Sequence, residues 1–160
     1  MQTAHAIGLS LYAYANHNQG LYPDGTSSTE VFQKLLDQGY VADRQIFYVP
    51  MEGKTRPVQD QKRLKPENVC WDVTVLLDSN SSDYLPVLFS TGYRIDFAPN
   101  GSATPLPGTK ADGLAVFYHS NASTFKIENL QHVVLDVISP DFKSDGKKYV
   151  QLTPDGPLNP

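Results

Sequence analysis

Apolar positions in the first forty residues recur at helical spacing. Ile7, Leu11 and Tyr14 fall at i, i+4 and i+7, with Ala6 and Ala13 beside them. That spacing predicts an amphipathic helix with one buried stripe. Asn16 to Gly20 is expected to end it, because short amide side chains compete for backbone hydrogen bonds and glycine accepts a left-handed conformation. Tyr22-Pro23-Asp24-Gly25 reads as a turn. A second helix is predicted to start at Ser27, which stands at capping-box spacing from Glu30. Its apolar face is Val31, Phe32, Leu35 and Leu36, and Gly39 is its stop. Ile46 to Pro50 reads as a short extended piece. Residues 51–68 are polar, contain Pro57 and Pro66, and read as a long excursion of the same domain.

From Val69 the period changes to two. Trp71, Val73, Val75 and Leu77 alternate with Cys70, Asp72 and Thr74, the pattern of a half-buried strand. Leu85 to Phe89 and the alternating Tyr93, Ile95 and Phe97 predict two more strands. Leu114 to Tyr118 and Phe125 to Ile127, turned at Asn121-Ala122-Ser123, predict a hairpin. Asn129 to Val137 fits a short helix or a last strand. The segment 139–160, rich in Pro, Gly, Asp and Lys, is expected to form a loosely ordered tail. Helices first and strands afterwards point to an α+β fold, with the N-terminal helix packed on a small antiparallel sheet. The 160 residues suit one domain, with residues 1–18 as its helix.

Composition narrows the function. The net charge of -4 and the lack of a basic stripe argue against a nucleic-acid partner. Lys54, Arg56, Lys62, Arg63 and Lys65 form a loose cationic group, read as a solvated loop. Cys70 is the single cysteine, so no intrachain disulfide can form, and its setting beside Trp71 suggests a buried structural thiol. The most apolar early stretch, Ala4 to Ala15, falls short of the roughly 20 residues a membrane span needs. Its helical pattern nevertheless starts abruptly, without a capping residue. That start is expected if an upstream segment has been removed and Met1 is not the natural first residue.

The search for chemistry yields little. Asp78, Asn80 and Asp83 offer oxygen ligands in a polar stretch that reads first as a turn and second as a loose calcium loop. The EF-hand pattern fails, since Asp83 and Phe89 stand where Gly and Glu are required. His5, His17, His119 and His132 lack zinc-site spacing. The pair Asp72 and Asp96 has the makings of a cross-strand carboxylate couple, but reads more simply as outward-facing strand residues. No nucleophile elbow, phosphate loop or dinucleotide fingerprint occurs, so no enzyme is expected. Nine Tyr, seven Phe and one Trp leave open a cell-surface or periplasmic module that binds glycan or protein, provided some of the rings form an exposed row.

The run Ile7-Gly8-Leu9, followed by Tyr14-Ala15-Asn16-His17-Asn18-Gln19-Gly20 and then Tyr22-Pro23, resembles the end of the long N-terminal helix in bacterial type IV pilin-like proteins and type II secretion pseudopilins. These proteins carry a prepilin-type cleavage and methylation motif. Leu35-Leu36 with Gly39-Tyr40-Val41 and Ile46-Phe47, and Asp112 to Tyr118, are similar to later parts of the family pattern. The cleavage motif and the apolar half of that helix are absent from this sequence, and the chain departs from the family pattern in two further places. Val49 precedes Pro50 where many members have cysteine, and Tyr118-His119-Ser120-Asn121 stands where members often read Asp-Gly-His. The resemblance implies a structural subunit of a pilus or secretion pseudopilus. It also implies an inner-membrane anchor in a helix this sequence lacks, a head outside the cytoplasm, other pilin-like subunits as partners, and calcium in some members. Ile7, Leu11 and Tyr14 would then dock the helix on the head, and Tyr22 with Pro23 would turn the chain away from it.

Overall fold

The computed structural model describes residues 2–75, 86–95, 103–105, 114–118, 124–127 and 150–158. They form an α+β fold in which an N-terminal helix lies on an antiparallel sheet. Helix α1 spans Gln2–His17 and α2 spans Ser28–Asp37. Short 3-10 turns follow at Arg44–Phe47 and Pro66–Asn68. The strands are β1 (Trp71–Val75), β2 (Pro86–Ser90), β3 (Tyr93–Ile95), β4 (Ala103–Pro105), β5 (Leu114–Tyr118), β6 (Thr124–Ile127), β7 (Val150–Thr153) and β8 (Gly156–Pro157).

Six strands make one sheet in the order β6-β5-β2-β1-β7-β8, and β3 pairs with β4 in a separate two-stranded sheet. Every pairing among the described strands is antiparallel. The expected hairpin is present as β5 and β6. The expected loose tail is corrected at its end: Val150–Thr153 lies beside β1 in the interior of the sheet, with Val73 opposite Leu152 and Thr74 opposite Gln151. The alternation of Val150, Gln151, Leu152 and Thr153 before Pro154-Asp155-Gly156 is a strand-and-turn pattern, which the polar composition around it obscured. The candidate segment Asn129 to Val137 lies outside the described residues.

Helix α1 buries Ala4, Ile7, Leu11 and Ala15, a stripe that lies against β2, β5 and the first 3-10 turn. Ala6, expected beside this stripe, is exposed. The helix closes with a bond from the Gly20 amide to the Ala15 carbonyl at 2.8 Å. The first left-handed residue there is Gln19, with φ of 60°, followed by Gly20 at 82°.

Helix α2 packs on α1, β1 and β7. Ser27 caps it as expected, accepting from the Glu30 amide at 3.1 Å. The reciprocal bond of a capping box is displaced by one residue, because the Glu30 carboxylate accepts from the amide and hydroxyl of Thr26 instead. At the other end, the amides of Gly39 and Tyr40 bond to the carbonyls of Leu36 and Leu35, a Schellman closure that places Gly39 at φ 81°. Thr29 donates to the Pro154 carbonyl at 2.8 Å and so ties α2 to the β7–β8 turn.

The core lies between the helices and one face of the sheet. Trp71, Val73, Val75, Leu88 and Leu152 supply the sheet side. Phe32 of α2 stacks on Phe47 with ring centroids 4.5 Å apart, which fixes the 3-10 turn where an extended piece was expected. The half-buried reading of β1 is also corrected. All five of its side chains are buried, because the far face, carrying Asp72, Thr74, Phe89 and Gln151, is covered as well.

Candidate functional site

The resemblance singled out α1 and the turn after it, and the structure gives these residues distinct surroundings. Ile7 and Leu11 are buried in the core. Tyr14 is half-buried and its ring tilts against Tyr40 at 5.5 Å. Tyr40 in turn shares a 2.9 Å hydrogen bond with Nδ1 of His17 at the end of α1. Tyr22 and Pro23 are both buried. Burial pushes the Tyr22 phenol up to about 12, with a smaller contribution from Tyr12. The turn is therefore packed against the rest of the fold.

Rotated away from this stripe, His5, Leu9, Tyr12 and Asn16 form an outward stripe of α1. Leu9 is 42% exposed and Tyr12 46%, the two large apolar side chains that α1 gives to solvent among its described residues. The helix thus has one stripe on the sheet and a second, partly apolar one available to a neighbour. Comparison with protein-family models, curated proteins and solved structures yields no match. No described helix is long and apolar enough to cross a membrane.

Of the aromatic residues in the described strands, Trp71, Phe89 and Tyr93 are buried. Among the side chains described there is no exposed aromatic row on the sheet. The calcium-loop candidates Asp78, Asn80 and Asp83, together with Asp96, His119 and His132, lie outside the described residues. Among the described residues, no group of three or more His, Cys, Asp or Glu side chains could hold a metal.

The excursion at 51–68 is better ordered than its polar sequence suggested. Asn68 is buried at its centre. Its Nδ2 donates to the Thr55 carbonyl at 2.9 Å, and its Oδ1 accepts from the Lys65 amide at 3.0 Å and from Gln61 Nε2 at 2.6 Å. Gln33 of α2 accepts from the Leu64 amide at 2.8 Å, and Gln45 donates to the Pro57 carbonyl at 2.6 Å. Amide side chains thus do for this loop what a neighbouring strand does for a sheet edge. Arg56 lies over the Tyr48 ring at 5.1 Å, while Lys62, Arg63 and Lys65 are exposed as expected of a solvated loop. Replacing Asn68 by Ala should cost about 2 kcal/mol, since three partners lose their bonds. Limited trypsin digestion is the check: cleavage after Lys62 and Arg63 should accelerate in the variant, and an unchanged pattern would contradict the pinning role.

Cys70 is buried, and its Sγ lies 3.4 Å from the Val49 amide and 3.3 Å from the Val49 carbonyl. Burial raises its pKa, outweighing the Val49 contact and Lys54. The thiol should therefore resist an aromatic disulfide reagent at pH 8 in the native chain and react at once in denaturant. Rapid native labelling would show the site to be open.

Sequence reasoning missed one cluster. Asp72, expected to face outward, has no exposed surface, and its carboxyl meets the side chain of Gln151 at 2.7 Å. Burial is the main reason its pKa rises to about 7, and bonds from Gln151 and Thr91 oppose the rise. A carboxylic acid at an alternating position reads as solvent-facing unless its surroundings are known, and here its hydrogen-bond partner Gln151 comes from the far end of the chain.

Proposed function

We propose that the chain is the head of a pilin-like subunit, an assembly protein of a bacterial pilus or secretion pseudopilus. The observation that carries this reading is the Ile7 to Pro23 segment, which resembles the family and comprises the end of a docked helix and a buried turn. Helix α1 docks through Ile7 and Leu11, closes at Gln19 and Gly20, and hands over to a buried Tyr22-Pro23 turn. A helix that must serve both a head and a filament needs two usable faces. The inner stripe of α1 is buried, and the outer one offers Leu9 and Tyr12. In this reading an upstream apolar helix holds the precursor in the inner membrane, the head lies outside the cytoplasm, and neighbouring subunits cover the outer stripe.

The test uses the full-length gene product, expressed together with a prepilin peptidase and followed by mass spectrometry and membrane fractionation. Removal of a short leader and retention of the product in the membrane are expected. A product that is soluble and uncut would overturn the reading.

A further inference from the structure

The far face of the six-stranded sheet holds a polar cluster where apolar packing would be ordinary. Asp72 on β1 accepts from Nε2 of Gln151 on β7 at 2.7 Å. The same Nε2 donates to the Tyr93 carbonyl at 2.6 Å, and Gln151 Oε1 accepts from the Ile95 amide at 3.0 Å. One side-chain amide therefore connects a carboxyl in the middle of the large sheet to two main-chain groups of β3. Strand β3 belongs to the small sheet, so Gln151 holds it as a neighbouring strand would. Two oxygens on the same side of β1, Asp72 Oδ1 and Thr74 Oγ1, are buried without a hydrogen-bond partner.

We propose that Asp72, acting through Gln151, makes the seating of the β3–β4 hairpin proton-dependent: the hairpin is held while the carboxyl is neutral and is loosened when it ionises. In the neutral form the proton sits on Oδ1, and Oδ2 remains an acceptor for Gln151. No charge is then buried. In the ionised form a full charge has Gln151 as its close donor and the Thr91 hydroxyl as a weaker second. A buried carboxylate needs more donors than that, and water is the remaining source. Among the described residues, the hairpin is the element outside the six-stranded ladder that bonds to Gln151, so it is the piece that yields.

The groups around Asp72 fit this assignment. Gln151 faces it from β7, and Phe89 stands opposite it on β2. Thr91 follows β2, and Tyr93 reaches the cluster from β3 through its carbonyl. Lys54 of the excursion favours the charged form, while Asp155 of the β7–β8 turn opposes it. Arg94 of β3 is exposed. Burial outweighs these contributions and brings the transition to about pH 7.

Hydrogen exchange of the Ile95 amide in the intact chain is the test, followed by NMR with correction for intrinsic rates. Its protection should fall about tenfold per pH unit between roughly pH 4 and 7 and level off above, as one ionisation linked to opening requires. It should also exchange faster than the amides of β1 and β7 at each pH. In Asp72→Asn the slope should vanish. A flat profile in the parent chain overturns the proposal, as does exchange of Ile95 at the same rate as β1 and β7 at every pH, which would mean global opening. Should the Asn variant not fold, the carboxyl carbon shift of Asp72 in the parent chain decides: a midpoint near 7 supports the device, and one near 4 removes it.

Discussion

Replacing Asp72 by Asn should stabilise this protein at neutral and alkaline pH. The parent carboxyl has no exposed surface, and burial raises its pKa from 3.8 to about 7. Between those values the folded chain keeps a proton that the unfolded chain has released. Stability therefore falls as pH rises through this window and is flat on either side of it. At about 1.4 kcal/mol per unit, the full cost above pH 7 is about 4 kcal/mol. Asparagine carries no charge at any of these pH values, keeps an oxygen to accept from Gln151, and offers an NH2 near the Thr91 hydroxyl. Urea unfolding at pH 5 and pH 8 should show the parent losing about 2.5 kcal/mol across the interval from this group, and the variant lacking that loss. Near pH 4 the two chains should converge. An Asn variant less stable than the parent at pH 8 would mean that the carboxylate is satisfied by donors beyond Gln151 and Thr91.

The same residue marks the boundary of what the sequence made legible. Trp71, Asp72, Val73, Thr74 and Val75 alternate, and alternation correctly predicts a strand. It cannot tell a polar residue facing water from one facing a second covering layer. The residue that answers Asp72 is Gln151, 79 positions away, and no local pattern connects the two. The Val150 to Thr153 strand was hidden in a related way, since Pro, Gly, Asp and Lys on both sides dominated the reading of four alternating residues. The stripe of α1 was legible at Ile7 and Leu11 because leucine and isoleucine announce a buried face. Ala4 and Ala15, equally buried, were not, because alanine favours helix on any face. Order in the excursion was invisible because Gln33, Gln45 and Asn68 act by bonding the backbone, and such contacts leave no period. For the candidate assembly surface, the sequence supplied the resemblance, and the helix geometry then separated Leu9 and Tyr12 from Ile7 and Leu11.

That separation leads to the second large effect. Leu11 is 1% exposed and packed between α1 and the sheet, so Leu11→Ala should cost about 3 kcal/mol, from lost burial and the cavity left behind. It should lower the midpoint of thermal and urea unfolding whatever the protein does in the cell. The pair Leu9→Ser and Tyr12→Ser changes the opposite stripe. Both side chains are substantially exposed, so each substitution should move stability by less than about 0.5 kcal/mol. If neighbouring subunits cover this stripe, the double variant should fold like the parent, remain in the membrane as a precursor product, and fail to enter filaments. Circular dichroism of this chain, together with a count of filaments in cells producing the full-length protein, separates the two cases. Normal assembly by the Leu9 and Tyr12 variant would remove the outer stripe of α1 from the subunit contact and leave the filament role to rest on the Ile7 to Pro23 resemblance alone. A double variant that unfolds like Leu11→Ala would show instead that the outer stripe packs against the rest of this fold.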